Sequence, residues 1–150
     1  MKTTFKKIAA AVMAAATLAV GMTSMSVNAA NIEDKIYSFY VTCSRYGGAG
    51  YTGVEEKTNT SSVYMKLSTP RTVKVETQGS KYTNKNFNNY TCNGDYAVVK
   101  TGEWFIYNNI CERLGSGAYA RLAIWANTTA GNASGVWSPD SVGNYPVVNK

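Results

Sequence analysis

The 150-residue chain contains no histidine, and this absence excludes more chemistry than any other feature of its composition. Ser-His-Asp and Cys-His catalysis need an imidazole to accept and return a proton, and His-based zinc sites need it as a ligand. The three cysteines, Cys43, Cys92 and Cys111, lie far apart and form no C-x-x-C pair. We therefore expect no metal site, no cofactor and no enzymatic activity of the common hydrolase types.

The sequence also lacks clustered positive charge outside its first 29 residues. The formal net charge is +6, but Lys2, Lys6 and Lys7 account for three of the fifteen basic residues. Residues 30–150 hold the other twelve basic residues and all nine acidic ones, which gives a formal charge of +3. Nucleic-acid binding depends on clustered Lys and Arg, so we expect no nucleic-acid partner.

The N-terminal segment has the three parts of a secretory signal peptide. Its basic start is followed by an apolar run over residues 8–20, which is short for a membrane span. Val27-Asn28-Ala29 then offers small residues for cleavage after Ala29, with Ala30 as the alternative. The sequence predicts a signal peptide over residues 1–29 and one exported, extracellular domain over residues 30–150, without a transmembrane anchor.

Alternating apolar and polar residues predict an all-β fold for this domain. The predicted strands are short, and Thr69-Pro70 and Thr101-Gly102 are each expected to join two of them in a hairpin. About seven strands favour a single antiparallel β-sandwich over residues 30–150, with a small β-barrel as the alternative. The strands are predicted in IYSFYVTC, SVYMKLS, RTVKVET, DYAVVK, EWFIYN and AYARLAIWAN, with a last short one around Val136.

The same alternation predicts which side chains fill the core. Within each strand, every second residue is apolar and is expected to point inward. The inward residues are predicted to be Tyr37, Phe39, Val41, Cys43, Val63, Met65, Leu67, Val73, Val75, Ala118, Ala120, Leu122 and Ile124.

The outward side chains of the longest predicted strand suggest a binding surface. Tyr119, Arg121 and Trp125 would share one face, and Tyr64 and Lys66 on another strand could extend it. Aromatic rings stack on sugar faces or anchor a protein partner beside an arginine. The alternatives are that loops cover this face, or that its aromatic pairs only stabilise the sheet.

For an exported protein, three cysteines allow one disulfide and one free thiol. Cys92 and Cys111 flank a short two-strand segment, so their pairing is the one we expect. Closing that loop of about 20 residues would stabilise the fold by roughly 3 kcal/mol. Three free thiols are the alternative.

The carboxylates give only weak support for catalysis or metal binding. Two of them could perform glycoside hydrolysis, but Glu55-Glu56 lie in a polar loop and Glu103 and Glu112 flank a strand. Asn93 and Asp95 lack the spaced acids of a calcium loop. Solvated surface is the simpler interpretation of all these residues.

The stretch SGVWSPDS combines Trp137 with a turn-forming Ser138-Pro139-Asp140. A recognition tryptophan would need polar partners nearby, and Asp140 is the only charged one in the stretch. We expect Trp137 to close one end of the fold, with a ligand contact as the alternative.

The phrases NTSSVYMKL, ERLGSGAYARLAIWAN and ASGVWSPDS resemble a group of small exported Firmicutes proteins with a signal peptide and one β-sandwich-like domain. The resemblance spans roughly residues 56–145. It implies a Gram-positive producer and an extracellular location, and it brings no functional residues. The leading hypothesis is a secreted, non-enzymatic protein that binds cell-wall or host glycan or a protein partner. A bacteriocin or toxin-like antimicrobial protein is the alternative, and a small glycan hydrolase is the third.

Overall fold

In the computed structural model, which describes residues 30–150, the alternating segments form eight β-strands, accompanied by two very short helices. The predicted signal peptide lies outside the described residues. The strands are β1 (Lys35–Val41), β2 (Gly50–Tyr51), β3 (Glu55–Lys57), β4 (Val63–Ser80), β5 (Asn88–Asn89), β6 (Ala97–Ile106), β7 (Ala118–Ala126) and β8 (Gly131–Ser138), and the helices are α1 (Arg45–Gly48) and α2 (Ile110–Leu114).

All eight strands belong to one antiparallel sheet, in which β4 is the central element. The order is β1-β8-β4-β7-β2, with β3 beside β7 and with β5 and β6 beside β4. One edge of β4 pairs first with β8 and then with β7. The sheet therefore divides there into two branches, one formed by β8 and β1 and the other by β7, β2 and β3. The amide of Ala126 donates to the carbonyl of Thr42 at 2.9 Å, which links the two branches. The all-β prediction is confirmed, and the single sheet is nearly closed into a barrel.

Two predicted hairpins are in fact continuous strands. β4 runs through Pro70, and β6 runs through Gly102, because the two strands pair and bend together. Their register shifts between Leu67 and Thr72, which leaves Pro70 in an irregular segment where the ladder needs no amide from it. Gly102 has a φ of +132°, a conformation that glycine adopts without strain. Local turn residues therefore mark a bend of the sheet and not a chain reversal.

The core lies between the inward faces of the two branches. The inward residues predicted for β4 and β7 are buried in it, whereas Cys43 is exposed and Phe39 is only partly buried against it. Trp137 is completely buried in the same cluster, in agreement with its predicted structural role. A Cβ at Gly135 would lie 1.8 Å from the carbonyl oxygen of Lys66, so only glycine lets β8 approach β4 there.

Candidate functional site

One candidate site is a buried ion pair formed by Lys57, at the end of β3, and Asp140, two residues after β8. Both side chains have no exposed surface. The Lys57 ammonium donates to the carbonyl oxygens of Ser61 at 2.6 Å and Pro139 at 2.7 Å, and to Asp140 Oδ1 at 3.1 Å. These three acceptors match the three protons of the ammonium group.

The Asp140 carboxylate is equally well satisfied. It accepts hydrogen bonds from the Thr58 hydroxyl at 2.6 Å, the Thr58 amide at 3.0 Å and the Asn31 amide at 2.8 Å. Burial alone would raise the pKa of Asp140, but these hydrogen bonds and the Lys57 charge hold it below its usual value. Burial lowers the pKa of Lys57, and Asp140 opposes that shift. Asp140 therefore connects Asn31 and β3 to the turn after β8, and neither charged side chain of the pair is exposed to solvent.

The predicted Cys92–Cys111 disulfide is absent from the structure, in which Cys43, Cys92 and Cys111 are all free thiols. The Cys111 thiol donates to the carbonyl oxygen of Lys57 at 3.6 Å. Burial raises the pKa of both Cys92 and Cys111, which lowers their thiolate fraction. Within residues 30–150, no group of three or more His, Cys, Asp or Glu side chains could hold a metal ion.

The second candidate is the outer surface of β7 and of the adjoining halves of β4 and β6, which we call the aromatic–cationic face. Tyr119, Arg121 and Trp125 point to this side, opposite the core residues of β7. In the sheet they are paired with Ser80, Gln78 and Lys74. The structure therefore places these three predicted residues on one face.

Arg121 is held in a fixed position at one end of the face. Its guanidinium carbon lies 4.3 Å from the ring centroid of Tyr51 and 4.2 Å from that of Phe87. Its Nε donates to Gln78 Oε1 at 2.7 Å. Burial lowers the pKa of Arg121 from its very high ordinary value, and a guanidinium stays charged in proteins. The arginine thus fixes the orientation of two rings that come from distant parts of the chain.

At the other end of the face, the ring of Trp125 is covered by Arg45 and Tyr96. Its side chain is only 3% exposed, so it does not present its ring to solvent. Arg45 lies 5.9 Å above its ring and forms a bidentate pair with Glu76, at 2.9 and 3.1 Å. Tyr96 packs edge-on against Trp125 at 5.5 Å. The outward strand position of Trp125 is as expected, but loop residues cover the ring.

The exposed rings of the face come from segments outside the predicted stripe. Tyr46 in α1 is 84% exposed, Tyr51 in β2 is 48% exposed, and Tyr96 just before β6 is 39% exposed. Tyr46 and Tyr51 belong to the glycine-rich stretch RYGGAGYTG, where no alternation marks an aromatic residue as outward. Aromatic residues among these glycines are the one sequence signal that could have identified them.

Tyr64 lies elsewhere, in a cleft that we call the tyrosine cleft, and Lys66 lies two residues further along β4. The ring of Tyr64 lies 5.4 Å from that of Tyr145, and Lys66 pairs with Glu103 at 3.0 Å. Burial is the main cause that raises the pKa of Tyr64 to about 12, and the Lys66 hydrogen bond lowers that of Glu103. The cleft has a volume of about 170 Å³. The irregular middle of β4 separates it from Arg121, so the structure does not unite the five predicted residues.

Neither helix of residues 30–150 is long and apolar enough to cross a membrane. Comparison with curated proteins and with solved structures found no match. A family model matches residues 25–141, which include all eight strands of the sheet. The chain therefore belongs to the family described as "Protein of unknown function (DUF2712)".

Proposed function

We propose that the protein is an exported, non-catalytic module that holds an extracellular glycan on the aromatic–cationic face. The observation that carries this proposal is that each exposed ring of the face contacts a cation. Arg45 lies 5.7 Å from the centroid of Tyr46, Arg121 lies 4.3 Å from that of Tyr51, and the Lys74 ammonium lies 4.7 Å from that of Tyr96. Rings held in this way lose little conformational entropy when a ligand binds.

The chemistry of the face suits a sugar ligand. The C–H faces of pyranose rings are weakly polar and stack on aromatic rings, whose faces carry partial negative charge. Sugar hydroxyls need hydrogen-bond partners at the edges of those rings, and the half-buried Gln78 lies beside Arg121 on the same surface. An extended surface of fixed rings and polar groups favours binding of a chain of sugars.

Two features support export and the absence of catalysis in this proposal. The first 29 residues have the pattern of a secretory signal peptide, which would direct the domain outside the cell. The buried ion pair, whose two side chains have no exposed surface, has its charged atoms hydrogen-bonded within the protein. General acid–base catalysis needs a group that reaches the substrate, and this pair does not.

The proposal is tested by co-sedimentation of purified residues 30–150 with insoluble cell-wall glycan. Tyr46→Ala combined with Tyr51→Ala should lower the retained fraction about tenfold, because both rings contact the ligand. The matched control is Tyr40→Ala with Tyr107→Ala, which removes two exposed tyrosines from other surfaces. Equal retention of the two double variants, or no retention of the unmodified protein, would contradict the proposal.

A further inference from the structure

We infer that the ligand of the aromatic–cationic face is an anionic polysaccharide and not a neutral one. This inference rests on the proposed glycan-binding function and adds the charge of the ligand to it. Charge is distributed unevenly over the folded surface, although the basic residues are spread along the sequence.

The face and the loop that borders it hold half of the basic residues of residues 30–150. This region has six basic and three acidic side chains, whereas the rest has six of each, so the whole formal charge of +3 lies here. The acidic residues are Glu56, Glu76 and Asp95, which lie beside Tyr119, Arg45 and Tyr96 in that order. The basic residues are Arg45, Lys74, Lys81, Lys85, Lys100 and Arg121.

Four lysines at the two ends of the face are available to an external anion. Lys74 and Lys100 point outward from β4 and β6, which pair with each other. Lys81 and Lys85 lie in the loop after β4, which returns to the face where Phe87 stacks on Arg121. Within residues 30–150, none of these lysines has an acidic partner at ion-pair distance, in contrast to Arg45.

The spacing of these lysines indicates a polymeric ligand. Lys100 is paired with Thr72, and Lys81 follows Ser80, the last residue of β4. The nine residues of extended strand from Thr72 to Ser80 span roughly 30 Å, since each residue adds about 3.3 Å. That length exceeds a single sugar several times over. A chain that follows β4 would meet cations at both ends and the exposed rings between them.

The experiment measures the binding of fluorescently labelled dextran sulfate to residues 30–150 by anisotropy, from low to high sodium chloride concentration. Neutral dextran of the same length and inorganic polyphosphate serve as comparison polymers. The test variant carries Lys→Gln at Lys74, Lys81, Lys85 and Lys100. The matched control variant carries Lys35→Gln, Lys66→Gln, Arg113→Gln and Lys150→Gln, which gives the same net charge from other surfaces.

We expect dextran sulfate to bind more tightly than both comparison polymers, with an affinity that falls as salt increases. The test variant should lose about tenfold in affinity and most of its salt dependence, while the control variant stays within about twofold. Equal losses in the two variants would overturn the inference, as would polyphosphate binding as tightly as dextran sulfate. Failure of the proposed function is a separate result, in which Tyr46→Ala with Tyr51→Ala leaves binding unchanged.

Discussion

The buried ion pair and the aromatic–cationic face use the same kinds of charged side chain but differ in what they leave exposed. Lys57 directs its three protons to oxygen atoms inside the protein, and its side chain is inaccessible to solvent. Arg121 bonds to Gln78 at its Nε and stacks between two rings, one of which remains about half exposed. The first arrangement connects two distant segments inside the protein, and the second fixes aromatic rings in place while leaving them accessible.

The difference shows why charge alone does not identify a functional site. A buried charge without a partner is very unfavourable, so Asp140 and Lys57 depend on each other for stability. Lys81, Lys85 and Lys100 are exposed to solvent and contribute little to folding. Substitutions in the first region should therefore change stability, and those in the second should change binding.

The largest expected effect is that of Asp140→Ala on stability. This substitution leaves Lys57 as an unpaired buried charge and removes the acceptor of the Thr58 and Asn31 amides. We expect a loss of about 3–5 kcal/mol in the free energy of unfolding, measured by urea titration. Thr58→Val, which removes one hydrogen bond to the carboxylate, should lose about 2 kcal/mol and serves if Asp140→Ala does not fold. A loss below about 1 kcal/mol for both would contradict the structural role of the pair.

Low pH should lower the free energy of unfolding through the same ion pair. The pKa of Asp140 is lower in the folded protein than in the unfolded chain, so the unfolded chain takes up the proton first as pH falls. The contribution of Asp140 is complete above about pH 4 and disappears as the pH passes down through the folded-state pKa. The check is the free energy of unfolding from neutral to strongly acidic pH. In Thr58→Val the acid loss should be smaller, and an identical pH profile would contradict this assignment.

A smaller effect is expected from Glu76→Gln within the face. The carboxylate is 4% exposed and holds Arg45 over the ring of Trp125, so the change should cost about 1.5–3 kcal/mol. Release of Arg45 should also increase the quenching of tryptophan fluorescence by acrylamide. Glu56→Gln, at the end of the same face, is the control. Unchanged quenching in Glu76→Gln would show that Arg45 does not need this partner to cover Trp125.

The smallest effect on stability should come from the lysines of the face. Lys81→Gln and Lys100→Gln should each change the free energy of unfolding by less than about 0.5 kcal/mol, because neither ammonium group has a partner in residues 30–150. Thermal unfolding in the absence of ligand measures this. A larger loss would mean that these lysines stabilise the fold and would remove the contrast with Lys57.

Much of the fold could be predicted because a half-buried strand has a period of two residues. The inward positions of β4 and β7 follow from that period, and so does the outward position of Arg121. The continuity of β4 through Pro70 could not be predicted, since Thr-Pro also occurs in turns and only the paired bend of β6 distinguishes the two cases. Local sequence carries no information about a partner strand.

The sites were less predictable because their members are far apart in the chain. Lys57 and Asp140 are separated by 83 residues, and no local pattern links one lysine among polar residues to an aspartate after a proline. Arg121 was predicted to point outward, but its ring partners Tyr51 and Phe87 come from two irregular segments. The net charge of the face could not be predicted from the sequence for the same reason, since its basic residues are spread from Arg45 to Arg121.

The central position of β4 has a consequence for the order in which the chain acquires structure. β4 needs β6, β7 and β8 to complete its two edges, and β8 ends at Ser138, close to the end of the chain. Pairing between segments so distant in sequence slows folding, because long loops must close first. Residues 35–138 must therefore all be available before the sheet can close. For the export proposed above, this delay would keep the chain unfolded until β8 has also been transported.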